Sequence, residues 1–272
     1  MKTRFFNVLI ALCFSTVLFS QEITEENYLK VDKEIWETYE QDCAKIIELK
    51  KSNPEKKDSL NAILNQLYEI ANNKNYNTAI KYASLPSGLQ RLFMVRLNLS
   101  KDTLLSILKT LPHDMQESNY GKSLLLHINS KQIEEGDKYY DFEAMDSEGK
   151  KFQISTLKNK NILLLYGGLD CMGKSGRDFL KKLYEETQRE NFQIVVYWKC
   201  SSLEQLKELK VKYSVDYLFV SDFLNDHSLM KINYGAQATP TCFLIDKERN
   251  VVIKSVGLPE DRLTKMKEEN KL

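Results

Sequence analysis

The segment from Ile162 to Lys174 constrains the fold most strongly. Its sequence is Ile-Leu-Leu-Leu-Tyr-Gly-Gly-Leu-Asp-Cys-Met-Gly-Lys, an apolar run followed by two glycines and then a cysteine. An apolar run of this length, bounded by turn residues, predicts a strand that is buried on both faces. Gly167 and Gly168 allow the backbone to leave such a strand sharply. The segment therefore predicts a buried strand that ends in a tight turn.

Cys171 lies in that turn and is the candidate nucleophile. Apolar residues at helical spacing follow it: Phe179, Leu180, Leu183 and Tyr184. The free N–H groups and the dipole of a helix N-terminus favour the thiolate, which is the reactive form of cysteine. Lys174, three residues on, is a candidate electrostatic partner of that thiolate, whereas the carboxylate of Asp170 opposes it. The sequence leaves the balance between these two charges open.

A second segment, from Ala238 to Asp246, places a proline at the start of an apolar β run. Proline suits a strand start and is compatible with a cis peptide bond. Together with the buried strand and the cysteine turn, this pattern resembles the thioredoxin superfamily, and most closely the TlpA/ResA-type envelope proteins grouped with the AhpC/TSA proteins. The resemblance covers roughly Gly136 to the C-terminus. It implies a mixed sheet flanked by helices and an activity in thiol–disulfide exchange.

The resemblance also implies roles for residues around the cysteine. In the family a cis-proline packs beside the nucleophile and its neighbour binds an extended substrate, so Thr239 and Pro240 are the expected substrate-binding residues. The family motif is Trp-Cys-x-x-Cys, but Lys174 occupies the position of the second cysteine. The family's sheet brings three strand ends together, which makes Cys200 and Cys242 candidate resolving cysteines. Cys200 is preferred because it lies in a loop, and the alternative is that neither thiol takes part.

The first 20 residues differ in composition from the rest of the chain. Two basic residues precede an apolar stretch from Phe5 to Phe19, and a polar, acidic region follows. This is the layout of a cleaved secretory signal peptide, with an uncleaved anchor or lipid attachment at Cys13 as alternatives. The sequence therefore predicts export to the periplasm or cell envelope, where disulfides persist. Membrane contact is expected only through the N-terminus.

Residues 21–135 are predicted to form an all-α domain, because their apolar residues follow helical spacing. Asn53-Pro54 is predicted to end the first helix, and the cluster from Asn72 to Asn75 the second. Ser100 is the predicted N-cap of a later helix. The region contains no catalytic motif, and its role stays open between a packed scaffold and a partner-docking domain. A β-hairpin near residues 142–154 marks the start of the thioredoxin-like domain, predicted over residues 136–272.

Composition narrows the classes of function. Lys and Arg number 39 against 38 Asp and Glu, and a net charge of +1 does not favour a nucleic-acid surface. Three histidines and the absence of a Cys-x-x-Cys pair predict neither a metal site nor another cofactor. The expected partners are envelope proteins with thiols or disulfides, or a redox donor, and the oligomeric state is left open.

Two further functions stay open beside single-cysteine thiol–disulfide exchange. Peroxiredoxins carry Thr or Ser three residues before the reactive cysteine and a proline further upstream, where this chain has Gly168 and Leu164. An activated thiolate can still react with peroxide, so a thiol peroxidase is kept as the second hypothesis, below thiol–disulfide exchange because of these two differences. The third is a non-catalytic binding module that uses the groove beside Pro240. Monothiol exchange remains the first hypothesis, because it requires only Cys171 and an external thiol.

Overall fold

The computed structural model describes residues 22–272. The predicted signal peptide over residues 1–20, with the alternative of lipid attachment at Cys13, lies outside the described residues. Compact packing divides the chain into two units, and the division falls between Thr78 and Ala79. Within residues 22–272, no helix combines the length and the apolar character needed to cross a membrane.

Two long helices dominate the first unit. Helix α1 spans Glu25–Ser52, and α2 spans Lys57–Lys81, so that its last turn belongs to the second unit. Thr24 caps α1 by accepting a hydrogen bond from the Asn27 N–H at 3.2 Å. The predicted end of the second helix at Asn72 to Asn75 is wrong, because α2 continues through these residues. An asparagine costs a helix less than about 1 kcal/mol relative to alanine, and a long helix tolerates that.

Four shorter helices open the second unit. They are α3 Pro86–Met94, α4 Lys101–Thr110, α5 His113–Glu117 and α6 Asn119–Asn129. The predicted cap at Ser100 is confirmed, since its hydroxyl accepts a hydrogen bond from the Thr103 N–H at 3.1 Å. Packing places these helices in the same unit as the sheet. The division into a helical domain over 21–135 and a thioredoxin-like domain over 136–272 stays a prediction from sequence pattern.

A mixed sheet forms the centre of the second unit. Its strands, within the described residues, are β1 Ala144–Asp146, β2 Lys151–Phe152, β3 Asn161–Tyr166, β4 Phe192–Tyr197, β5 Leu218–Ser221, β6 Thr241–Ile245 and β7 Val251–Val256, in the order β2-β1-β5-β4-β3-β6-β7. Strand β3 runs parallel to β4 and antiparallel to β6. The flanking helices are α7 Gly173–Glu185, α8 Leu203–Tyr213, α9 Leu229–Asn233 and α10 Glu260–Glu268. The architecture confirms the predicted fold class.

Strand β3 is apolar along its whole length because both of its faces are covered. Leu163 and Leu165 pack on one face, in a cluster that includes Leu180 of α7. Ile162 and Leu164 pack on the other face, in a cluster that includes Met230 of α9. Alternate residues of a strand point to opposite faces, so a strand covered on both sides needs no polar positions. This burial fixes the end of β3, and hence the position of the turn that follows it.

His127 of α6 is buried, with 3% of its surface exposed. Burial lowers its pKa to about 4, and the positive charges of Arg96 and Lys101 act in the same direction. The folded chain therefore keeps His127 neutral at pH values where the unfolded chain binds a proton. Stability from this group is complete above its ordinary pKa of 6.5 and is lost as pH falls towards 4.

We expect His127→Gln to weaken this dependence on pH. Between about pH 7 and about pH 5, the wild type should lose about 2 kcal/mol more unfolding free energy than the variant. Urea unfolding in a Trp36→Phe background would follow Trp198 alone, since the chain has 2 tryptophans. His113→Gln, on an exposed position of α5, is the matched control and should follow the wild type. Parallel losses in all three proteins would contradict the assignment.

Candidate active site

The turn after β3 approaches the start of β6 so closely that it requires glycine. Gly167 and Gly168 have φ values of +58° and +87°. A Cβ atom on Gly168 would lie 2.5 Å from the backbone nitrogen and Cα of Pro240, which is closer than real Cβ contacts come. The Thr239–Pro240 peptide bond is cis. The two glycines therefore let the turn rest directly against the proline.

Cys171 lies at the surface of this turn, two residues before the first residue of α7. Its Sγ atom is 3.5 Å from the Thr239 Oγ1 atom. A hydroxyl at this distance can donate to a thiolate and stabilise it. The structure thus brings together three of the predicted site residues, because Thr239 contacts the cysteine and Pro240 contacts the turn that carries it.

The charged neighbours of Cys171 are paired with other residues. The Lys212 ammonium lies 3.0 and 3.1 Å from the two carboxylate oxygens of Asp170. The neighbouring Tyr213 hydroxyl and the Lys212 ammonium hold the pKa of the Asp170 carboxyl below its usual range. Lys174 pairs with Asp178 one turn along α7, and both side chains are exposed. An electrostatic role of Lys174 towards Cys171 stays a prediction.

The two candidate resolving cysteines are buried in the core beneath α7 and α8. Cys242 lies in β6 opposite Leu165, and burial raises the pKa of its thiol to about 12. Cys200 follows β4 in a loop, as predicted, but it is also buried, and burial raises the pKa of its thiol. Cys43, Cys171, Cys200 and Cys242 are all free thiols in the structure. A resolving role for either buried cysteine stays a prediction.

A cavity of about 290 Å³ opens beside Cys171. The predicted residue Thr239 lines it, and so do residues that sequence analysis missed: Trp198, Lys199, Asp226, Lys231 and Gln237. A larger cavity of about 700 Å³ lies beside β1 and β2, but Cys171 does not line it. We place the site in the smaller cavity because it contains the exposed thiol.

Two of the missed residues carry a signal in the sequence. Lys199 lies two residues after the end of β4, and that end lies beside the end of β3 in the parallel pair. Lys231 lies between the apolar residues Met230 and Ile232 in a short helix. A lysine in such a segment is exceptional, because lysine is rarely buried without a partner. Within residues 22–272, no group of three or more His, Cys, Asp or Glu side chains is placed to hold a metal ion.

A family model described as Redoxin matches residues 134–270. The chain belongs to the Redoxin family. The match starts next to the predicted boundary of the thioredoxin-like domain and includes the cysteine turn and the Thr239–Pro240 peptide bond. We refer to this part of the chain as the redoxin domain.

Among curated proteins, the redoxin domain is similar to the thiol-disulfide oxidoreductase ResA. The protein from Bacillus anthracis is 27% identical over 119 residues, which cover 43% of this chain and 66% of the relative. The match thus spans just under two thirds of that relative's length. The protein from Bacillus cereus is 26% identical over 117 residues, with the same two coverages. The resemblance to TlpA/ResA-type proteins is confirmed.

Among solved structures, a thiol-disulfide oxidoreductase from Bacteroides fragilis is 20% identical, with a TM-score of 0.44. That match covers 49% of this chain and 99% of the other chain. The thioredoxin domain of a thiol-disulfide oxidoreductase from Bacteroides vulgatus is 18% identical, with a TM-score of 0.45. It covers 52% of this chain and 100% of the other chain.

The contact between the turn and the proline can be tested by adding one methyl group. Gly168→Ala should destabilise the fold by roughly 2 kcal/mol more than Gly257→Ala, because only the first substitution overpacks its surroundings. Gly257 is a matched control, with φ of +86° and no atom within 4 Å of its added Cβ. Both variants therefore carry the same backbone strain. Equal free energies of unfolding in the two variants would show that the close approach is not required.

Proposed function

We propose that the redoxin domain catalyses thiol–disulfide exchange with Cys171 as its single catalytic cysteine. The observation that carries the proposal is the exposed thiol of Cys171, 3.5 Å from the hydroxyl of Thr239, in the turn that contacts Pro240 just before β6. In this arrangement the thiolate faces outward, where a substrate disulfide can reach it. An extended substrate segment would lie along Thr239 and Pro240.

The burial of the other thiols supports a mechanism with one cysteine. A resolving cysteine must reach the first one as a thiolate. Cys200 and Cys242 lie in the core, and burial raises the pKa of both thiols. Lys174 occupies the position of the second motif cysteine and is paired with Asp178. We therefore assign the resolving step to an external thiol.

The same turn geometry argues against the peroxidase hypothesis. Peroxiredoxins place Thr or Ser where this chain has Gly168. A side chain at this position would collide with the backbone of Pro240, because even a Cβ atom would lie 2.5 Å from it. The turn therefore has no room for that hydroxyl group.

The proposed substrates are disulfides of exported proteins. The amino-terminal sequence pattern supports export, and an exported chain works where protein disulfides persist. The redox partner would be a thiol of the same compartment.

Substitution of Cys171 provides the direct test. With dithiothreitol as reductant and two peptides joined by a disulfide as substrate, Cys171→Ser should lower the rate to the uncatalysed value. Cys200→Ala is the matched control and should keep most of the wild-type rate, because the proposal gives this thiol no part in exchange. Loss of activity in both variants would contradict the single-cysteine mechanism. A wild type that reacts with hydrogen peroxide but not with the peptide would favour the peroxidase, and one that reacts with neither would favour a binding module.

Selective alkylation gives an independent prediction. Iodoacetamide at neutral pH should modify Cys171 well before Cys200 or Cys242, because only Cys171 is exposed among these three. Peptide mapping after brief treatment would identify the modified residue. Intact mass before and after reduction would report any internal disulfide as the mass of two hydrogens. An internal disulfide between Cys171 and Cys200 or Cys242 in the purified protein would restore a resolving role to that buried thiol.

A further inference from the structure

The floor of the cavity beside Cys171 carries buried positive charge. Lys231 is 2% exposed, and its ammonium donates to the Asp226 Oδ1 atom at 2.6 Å. Lys199 donates to the same oxygen at 3.0 Å, and its side chain is 46% exposed. Both lysines and Asp226 line the cavity together with Cys171. One carboxylate thus serves two ammonium groups.

A third cation lies behind the cavity. Arg96 is completely buried, and its Nη1 atom donates to the Gln237 Oε1 atom at 2.6 Å. Within the described residues, its Nε and Nη2 atoms have no hydrogen-bond acceptor. The ring of Phe93 lies 4.1 Å from the Arg96 guanidinium and 5.4 Å from the Lys231 ammonium. We call Arg96, Lys199, Lys231 and Asp226 the cation cluster.

The cation cluster has more positive than negative charge. Lys199 and Lys231 contact Asp226, and Arg96 adds a third positive charge, so the fully ionised cluster carries an excess of two positive charges. Asp170, the other carboxylate that lines the cavity, is paired with Lys212. The Lys231 ammonium can donate three hydrogen bonds, and the described residues supply one side-chain acceptor to it, Asp226. Burying charge without full compensation is costly, and a bound anion would offset that cost. The cluster is therefore built to receive a negatively charged group.

We propose that this cavity binds the carboxylate of a small thiol, which forms a mixed disulfide with Cys171. The inference rests on the proposed function, because it supplies the external thiol which that mechanism requires. Lys231 and Lys199 would hold the carboxylate, and Gln237 would border it. The thiol sulfur would then lie at the mouth of the cavity, against Cys171.

The dimensions of the cavity favour a small molecule over an acidic side chain of a protein. Its volume of about 290 Å³ lies at the lower end of ligand sites, which begin at roughly 300 Å³. Lys231 is almost fully enclosed, so the anion must enter the cavity to reach it. A short carboxylate-bearing thiol meets this requirement without displacing the main chain of a protein substrate from Thr239 and Pro240.

The exchange balances without an added oxidant. The Cys171 thiolate attacks a substrate disulfide, forms a mixed disulfide with one substrate sulfur and releases the other as a thiolate. The small thiolate then attacks the Cys171 Sγ atom, which releases the second substrate thiolate and leaves the small thiol on Cys171. A second small thiolate attacks that small thiol's sulfur and regenerates the Cys171 thiolate. One substrate disulfide is reduced, two small thiols become their symmetrical disulfide, and their protons pass to the substrate.

The test compares two thiols that differ only in charge, 3-mercaptopropionate and 3-mercaptopropionamide. Each is equilibrated with the full chain at fixed ratios of thiol to symmetrical disulfide. Intact mass gives the fraction of mixed disulfide, and peptide mapping locates it at Cys171. The ratio of the acid and amide equilibrium constants is then compared between proteins, which cancels the intrinsic difference between the two thiols.

We expect Lys231→Met and Lys199→Gln each to lower that ratio by about tenfold, the contribution of one charge-assisted hydrogen bond. Lys181→Met removes an exposed charge from α7, outside the cavity, and should leave the ratio unchanged. Two cavity variants are used because Lys231 is buried and its substitution can unfold the protein. Lys199 is half-exposed, so Lys199→Gln leaves the core intact and still tests the site. Circular dichroism would establish the fold of each variant.

The outcomes separate this inference from the proposed function. Equal ratios in the wild type and in each cavity variant that folds, with the two thiols still bound at Cys171, would overturn the carboxylate site and leave the exchange activity intact. Failure of both thiols to form a mixed disulfide at Cys171 would overturn the proposed function itself. A further comparison uses two peptide disulfides as substrates, one with Glu and the other with Gln beside its cysteine. If the cavity lysines favour the Glu peptide over the Gln peptide but do not distinguish the two small thiols, the site belongs to protein substrates. That result would overturn the proposal of a small thiol.

Discussion

Antiparallel pairing between β3 and β6 sets Tyr166 opposite Thr241, at the end of β3. Gly168, in the turn after β3, and Pro240, just before β6, then come into direct contact. A side chain at Gly168 would separate them. The position of Cys171 next to Thr239 depends on this contact, because the cysteine follows the glycines by only a few residues.

Burial and charge act against each other in the cavity that this contact borders. Burial lowers the pKa of Lys231 to about 8, although the hydrogen bond to Asp226 opposes the change. Burial raises the pKa of Asp226, but hydrogen bonds from Lys231 and Lys199 outweigh it and hold the pKa below its usual range. Burial also lowers the pKa of Arg96 to about 10. The cluster therefore stays largely charged near neutral pH. Its buried surroundings have a lower dielectric constant than water, so its charges interact more strongly there.

Local sequence predicted the parts of the site that local geometry determines. The apolar run over β3, its glycine turn and the proline before β6 each occupy a continuous segment, so their pattern is visible in the order of residues. The cation cluster depends on contacts between segments far apart, such as Arg96 and Gln237, which are 141 residues apart. No periodicity encodes such a contact. The prediction that the asparagine cluster ends the second helix was wrong because it rested on local sequence alone. Packing of the long helix α2 outweighs the small local preference of asparagine.

Helices α3 and α6, which precede the redoxin domain, lie at one side of the cavity beside Cys171. Met94 of α3 lines the cavity, Phe93 lies against two of the buried cations, and the Tyr120 hydroxyl of α6 donates to Asp226 at 3.3 Å. The family match begins only at residue 134. A fragment cut at that residue would keep Cys171 and its turn but lose the insulation around Lys231. Water would then reach the ammonium group. The part of the chain that the family match covers is therefore smaller than the part that keeps Lys231 buried.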